Sequence, residues 1–376
     1  MLSKEELKRY SRHIIIPEIG LKGQEKLKQA KVLVIGAGGL GCPVLQYLTA
    51  AGVGNIGIVD FDVVDESNLH RQILFDTNDI GKSKVEVAKQ KLIAQNPYMK
   101  FDVINSKLTK NNALDIIKDY HIVVDGSDNF PTRYLINDAC MILGKPLVFG
   151  SIYKFEGQVS VFNYKGGPTY RCLFPQPPKS QDAPSCSEIG VLGVLPGITG
   201  CFQANEVIKI ITGIGKPLSG KLLVIDALSL NTNIIEFSRI EGNCNIKELI
   251  DYEYFCGVDD ISHSDEKEKR GVKGITVSEL KKRLDNNEDL QIIDVRKEFE
   301  YNICNLGGEL IPLGNILNDF DRILKDKPVI VVCHHGNRSA KAIKILTEKT
   351  GFDNLLNLTG GVHAWAEEID QSMAKY

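Results

Sequence analysis

Val32-Leu33-Val34-Ile35-Gly36-Ala37-Gly38-Gly39-Leu40-Gly41 decides the fold of the larger part of this chain. Four apolar, β-prone residues run into a glycine-rich turn that opens a helix. That order lets backbone N–H groups approach a phosphate at the positive end of the helix. Outward from it, residues 31–150 alternate strand-like and helix-like stretches. Gly57–Val59, Ile122–Val124 and Leu147–Phe149 read as buried strands, and Ser83–Ala94 has helical spacing that stops before Pro97. The alternation predicts an α/β domain with a parallel sheet. Glu156–Phe162 alternates as an antiparallel strand does, and Leu222–Ile225 and Ile234–Phe237 read as closing strands, so the sheet is expected to be mixed. Between them lie a Pro-rich loop, Phe174–Pro184, and a glycine-rich apolar helix region, Gly190–Thr212.

With 376 residues the chain can hold two domains. A net charge of −3 gives no nucleic-acid or membrane footprint, and no apolar run is long enough to span a bilayer. The charged start, Met1 to Glu6, lacks the apolar core of a signal peptide. Nine scattered cysteines, an odd number, fit reduced thiols in the cytoplasm better than a disulfide framework. Ser3 and Glu6 form a capping box that opens a first helix carrying Arg9 and Arg12. Residues 257–273 are a charged linker, which divides the chain into residues 1–256 and 274–376. Thr276 and Glu279 make another capping box at the start of a second, smaller α/β unit.

The glycine turn alone fits an NAD or FAD site, and Asp60, about 20 positions on, is placed to hold a ribose. Asp60-Phe61-Asp62, Asn68-Leu69-His70-Arg71-Gln72, Lys84, Asp125-Gly126-Ser127-Asp128-Asn129 and Arg133 separate the alternatives. Taken singly, Lys84 is a solvated helix lysine and Asn68 a turn residue. Taken together, Arg71 and Lys84 supply cations that a pyrophosphate cradled by backbone does not need. They suit a triphosphate attacked at its α-phosphorus, where charge builds on the leaving pyrophosphate. Asp128, after an apolar strand, is placed to hold Mg²⁺ beside those phosphates.

These strings, with Arg9-Tyr10-Ser11-Arg12 and Phe155-Glu156-Gly157-Gln158, resemble the E1-like activating enzymes of sulfur-carrier proteins. These are the adenylyltransferases of molybdopterin synthase and of thiazole biosynthesis. The resemblance covers about residues 5–240 and implies a Rossmann-like E1 domain. It implies an enzyme that binds ATP and Mg²⁺ and adenylates the C-terminal Gly-Gly carboxylate of a small ubiquitin-like carrier. Gly36, Gly38, Gly39 and Gly41 then form the phosphate loop and Asp60 holds the ribose, with Asp62 beside it. Asn68, Arg71 and Lys84 reach the phosphates, and Asp128 the metal. Family members are homodimers, and Arg12 matches an arginine that reaches across to the second subunit's ATP.

Near the other end, Val329-Ile330-Val331-Val332 leads into Cys333-His334-His335-Gly336-Asn337-Arg338-Ser339 and a helical pattern, Ala340–Glu348. A loop between a strand end and a helix start aims N–H dipoles at the sulfur, and Arg338 adds positive charge. Both favour a thiolate and a persulfide anion. The loop resembles the active site of rhodanese sulfurtransferases, as do Ile293-Asp294-Val295-Arg296 after a strand, Gly360-Gly361 and Trp365. Tyr301–Gly314 departs from the usual short turn of those proteins, which leaves the sulfur donor open; a cysteine desulfurase persulfide is the expectation. His334 and His335 read as anion-friendly lining.

Cys186, within Ser185-Cys186-Ser187-Glu188, matches a mobile-loop cysteine of the E1-like family that can bond to the carrier tail or its sulfur. Many relatives carry two Cys-x-x-Cys pairs on structural zinc. Here only Cys172 and Cys244 remain of them, and zinc is not expected. Cys42, Cys140 and Cys201 read as core. The joint reading is an adenylyltransferase–sulfurtransferase serving molybdenum cofactor or thiamine synthesis. Two other classes stand beside it: an NAD-dependent oxidoreductase fused to a rhodanese domain, and a non-catalytic carrier-binding module.

Overall fold

Lys31–Ile35 forms β1, buried at four of its five positions, at the heart of an eight-stranded sheet. The computed structural model describes residues 1–178, 190–256 and 272–374. The sheet continues with β2 (Asn55–Val59), β3 (Lys100–Ile104), β4 (Ile122–Asp125), β5 (Leu147–Tyr153), β6 (Glu156–Phe162), β7 (Lys221–Asp226) and β8 (Thr232–Glu236). Their order is β3-β2-β1-β4-β5-β6-β7-β8. The first five are parallel. From β5 to β8 the pairing is antiparallel, giving the mixed sheet that the sequence predicts. The edge strand β3 escaped the sequence reading, because its charged Lys100 and Asp102 interrupt the apolar signal.

Side chains alternate across a strand, and both faces of this sheet are covered. Val32 and Val34 enter one core with Leu45, Leu48, Ile58, Leu92 and Val207. Leu33 and Ile35 enter another with Val123, Tyr134, Phe149 and Phe162. Burial on both sides explains why β1 reads as an unbroken apolar run.

Two expectations need correction. The capping box of Ser3 and Glu6 forms, but its helix ends at Arg9, and Arg12 sits in a separate turn, Ser11–Ile14. Tyr10 breaks the helix: it is buried, and its hydroxyl accepts a hydrogen bond from Asn96 Nδ2 at 2.8 Å. Cys42 and Cys140 are core residues, but Cys201 is exposed on the outward face of the helix Leu195–Thr212.

The chain divides into two compact units, Met1–Val258 and Asp259–Tyr376. Most of the expected linker, residues 257–271, lies outside the described residues. The second unit is a parallel sheet of order β11-β10-β12-β13-β9. Its strands are β9 (Gly274–Ile275), β10 (Gln291–Asp294), β11 (Glu309–Leu310), β12 (Val329–Val332) and β13 (Leu355–Leu358). Thr276 and Glu279 cap the helix Val277–Asp285 as expected. Among the described residues, no helix is long and apolar enough to cross a membrane.

Ile293 and Asp294 are the end of β10 itself, not residues after a strand. There Arg296, fully buried, meets the Asp294 carboxylate at 2.6 Å and the Cys304 carbonyl at 2.6 Å. Removing one partner of a buried ion pair leaves the other charge uncompensated. Asp294→Ala is expected to destabilise the second unit by about 3–5 kcal/mol. Urea unfolding followed by Trp365, the chain's one tryptophan, reads it directly.

Candidate functional site

Parallel α/β sheets bind ligands beyond the carboxyl ends of the strands, where the strand order reverses. Here that point is the gap between β1 and β4. Gly36 leaves β1 at φ +94°, and a Cβ there would lie 2.7 Å from the Gly126 carbonyl oxygen. A Cβ on Gly41 would sit 1.9 Å from the Gly36 oxygen, so the turn closes only without side chains at both positions. The helix Gly41–Ala51 starts from this turn and brings its positive end to the cleft.

The cleft has a volume of about 410 Å³ and is lined by Gly36, Gly38, Gly39, Asp60, Asp62, Arg71, Gln72, Lys84, Asp128 and Arg133, among others. Asp60 ties the loop down: its carboxylate accepts the Ala37 N–H at 2.7 Å and the Asp62 N–H at 2.9 Å. Lys84, 4 % exposed, reaches the cleft paired with Asp62 at 2.9 Å. Arg71 donates to the Ser67 carbonyl at 3.0 Å and lies 2.7 Å from His70 Nε2. Among the described residues, the exposed Asp128 carboxylate accepts only a long bond, 3.3 Å, from Asn129. An oxygen donor of that kind suits a hard cation such as Mg²⁺.

Asn68, Gly41 and Arg12 do not line the cleft. Asn68 acts at one remove, since its Oδ1 accepts from Gln72 Nε2 at 2.9 Å. Gln72 was not given a role from sequence. It is buried, it lines the cleft, and its Oε1 has no hydrogen-bond partner among the described residues. Its place beside Arg71 was the available signal. Arg12 is exposed. Cys186 lies outside the described residues. Behind the cleft, Asp125 accepts the N–H and hydroxyl of Ser127 at 2.9 and 2.6 Å and so shapes the turn that presents Asp128. Burial pushes the Asp125 carboxyl up, against the opposing pull of Arg133.

In the second unit, Cys333 directly follows β12 and is 1 % exposed. Gly336 donates its N–H to the sulfur at 3.1 Å. Ser339 Oγ is 3.3 Å from the sulfur, but its single proton has a nearer acceptor in Asn357 Oδ1, at 2.6 Å. Gly360-Gly361 has a structural cause: the helix it opens holds the loop, with Val362 N–H on the Cys333 carbonyl and His363 N–H on that of His334.

Arg338 does not lend the sulfur an unbalanced charge. It forks onto Glu300 at 2.8 and 2.7 Å, a partner 38 residues away that the sequence reading missed. His334, read from the sequence as anion-friendly lining, gives no positive charge at neutral pH: burial first, then His335, His363 and Arg338, push it down to about 4.

The ThiF family matches residues 10–246, and the rhodanese-like domain matches residues 276–368. A Mycobacterium tuberculosis protein named "Probable adenylyltransferase/sulfurtransferase MoeZ" is 46% identical, over 100% of this chain and 96% of its own length. The adenylyltransferase and sulfurtransferase MOCS3 of Sus scrofa is 41% identical over 100% of this chain and 89% of its own length. Among solved structures, E. coli MccB with ATP superposes with a TM-score of 0.56 at 24% identity, covering 65% of this chain and 75% of that one, a likeness of fold.

The chain belongs to the ThiF family, the E1-like adenylyltransferases, and carries a rhodanese-like domain behind it. It is an ATP-binding enzyme that joins an adenylyltransferase to a sulfurtransferase.

The His334 environment makes a pH prediction. Its folded pKa lies below the ordinary value of about 6.5, so the unfolded chain takes up the proton first. Stability of the second unit is therefore lost as pH falls from about 6.5 toward 4. His335, His363, Arg338 and Glu300 all face the ring. Urea midpoints measured at pH 7.5 and 5 should differ less in His334→Gln than in the native chain.

Proposed function

We propose that the chain adenylates the C-terminal Gly-Gly carboxylate of a small ubiquitin-like sulfur carrier and then converts it to a thiocarboxylate with sulfur carried by Cys333. The observation that carries this reading is the meeting of Arg71, Lys84 and Asp128 in one cleft at the glycine turn. A dinucleotide held by backbone needs neither cation. A triphosphate losing pyrophosphate gains from both.

The carrier carboxylate attacks the α-phosphorus of ATP, the bond to the β-phosphate oxygen breaks, and pyrophosphate leaves. The backbone N–H groups of Gly38 and Gly39 and the cations Arg71 and Lys84 stabilise the charge on the leaving group. Asp60 holds the ribose, and Gln72, fixed by Asn68, offers its vacant oxygen to a donor on the ligand. Asp128 would hold Mg²⁺, which supplies neutralisation of phosphate charge.

A persulfide on Cys333 then attacks the acyl carbon and AMP leaves. The Gly336 N–H steadies the Cys333 sulfur. Attack by Cys186 on the Cys333 sulfur releases the thiocarboxylate and leaves a disulfide that a cellular thiol reduces. A protein persulfide of the cysteine-desulfurase kind recharges Cys333. The active form is a homodimer in the cytoplasm, with Arg12 reaching the second subunit's ATP. The product feeds molybdenum cofactor or thiamine synthesis.

ATP–pyrophosphate exchange with Mg²⁺ and Gly-Gly-ending carriers tests the first half. Exchange should require one carrier and fall by at least about a hundredfold in Lys84→Ala, the range for loss of one transition-state charge contact. Exchange without any carrier requirement would sink the reading. Cys333→Ala should retain full exchange while losing persulfide-dependent thiocarboxylate formation, read by mass spectrometry of the carrier.

A further inference from the structure

Zinc in a structural site takes four ligands in a tetrahedron. At the place where many relatives hold it, this chain offers two sulfurs. Cys172 Sγ and Cys244 Sγ lie 3.5 Å apart, in contact with each other. Cys172 sits among hydrogen-bond partners: its Sγ lies 3.8 Å from the Ile240 carbonyl oxygen, and donors approach it as well. The backbone N–H groups of Thr169 and Ile240 point at Cys172 Sγ from 3.4 and 3.3 Å, and the Thr169 hydroxyl lies 3.5 Å away. Among the described residues, no group of three or more His, Cys, Asp or Glu side chains is arranged to hold a metal ion. This donor set does not fit zinc.

It does fit a covalent link. We propose that Cys172 and Cys244 form a reversible disulfide that staples the segment Ile240–Cys256 to the rest of the first unit, in place of the relatives' zinc. A disulfide needs its sulfurs at about 2.05 Å, so the existing contact has to shorten by only about 1.5 Å. The two residues are 72 apart in sequence, so the bond closes a long loop.

The two thiols are unequal, which suits the chemistry. Burial opposes ionisation of Cys172, but the bonds from Thr169, Ile240 and Cys244 outweigh it and hold the thiol below its ordinary value. Cys244 is pushed up, by burial first and then by Cys172. Cys172 thus gives up its proton more readily than Cys244, and each residue keeps a small exposed surface, 7 % and 9 %. With a hydroperoxide as oxidant, the Cys172 sulfur attacks one peroxide oxygen and the O–O bond breaks. Water leaves after proton uptake, and a sulfenic acid remains. The Cys244 sulfur then attacks Cys172 Sγ, the S–O bond breaks, and a second water leaves. Two thiols and one hydrogen peroxide give one disulfide and two waters, with two electrons passed to the peroxide.

The stapled segment matters to the cleft. Asn243 donates to the Arg171 carbonyl at 2.9 Å, and Tyr252 donates to Asp138, which Arg171 grips at 2.8 and 2.7 Å. Glu253, on the same segment, lines the nucleotide cleft and pairs with Lys107 at 2.9 Å. The disulfide would fix one wall of the adenylation site.

The test uses the full chain carrying Cys186→Ser, Cys201→Ser and Cys333→Ala, which removes the two thiols of the proposed sulfur relay and the exposed Cys201. The reduced protein is treated with stoichiometric hydrogen peroxide, alkylated and mapped by peptide mass spectrometry. The expected result is a Cys172–Cys244 linked peptide, a thiol titre lower by two, and a higher unfolding temperature, all reversed by dithiothreitol. A further Cys244→Ser substitution should abolish the link and the temperature shift. Oxidation of Cys172 to sulfenic or sulfinic acid without linkage would overturn the proposal. Stoichiometric zinc in the reduced protein, lost on Cys172→Ser, would overturn it as well.

Discussion

The backbone junction between the ends of β1, β2 and β4 is the constraint on which the first unit depends. The Gly36 N–H bonds to the Val59 carbonyl and the Gly126 N–H to the Ile35 carbonyl, both at 2.8 Å. Three parallel strands therefore end together, and their turns touch with no room for a Cβ at Gly36. From that point the helix Gly41–Ala51 departs, its N-terminus at the glycine turn. Asp60 braces the loop from β2, and the Asp125–Ser127 turn presents Asp128 from β4. Asp60 and Asp128 thus stand on turns anchored at this one place, which helps a site that must hold a triphosphate in register.

The second unit solves a different problem with the same layout. A parallel strand again delivers a loop to a helix start, but the occupant is a sulfur atom of the chain itself. Packing holds Cys333 in the core, and two backbone bonds from the helix Gly361–Glu368 fix the loop around it. The side chains near the sulfur contribute less charge than their types imply. Arg338 is balanced by Glu300, and His334 is kept neutral by burial. The donor that meets the sulfur is a backbone dipole, the Gly336 N–H.

Legibility from sequence followed the range of the interactions. Apolar runs announced β1, β4, β5 and β12, because burial on both faces removes polar residues from a strand. The edge strand β3 is half-solvated and gave no such run. The cleft residues named from motifs, Asp60, Arg71, Lys84 and Asp128, do converge. Ion pairs across the fold were not readable in either unit: Asp62 and Lys84 are 22 residues apart, and Glu300 and Arg338 are 38 apart. Cys201 sat in an apolar stretch and still faces outward, since a long helix in a sheet protein buries only part of its circumference.

The sequence by itself determined two α/β units, a phosphate-binding turn and a cysteine loop. Those features arise from local rules: strand propensity, glycine where a side chain cannot fit, and capping at helix starts. Only the tertiary structure decided which charges are balanced, which histidine is neutral, and that Cys172 and Cys244 lie in contact. Such pairings depend on distances across the fold, and the backbone sets those distances only when the whole sheet is assembled.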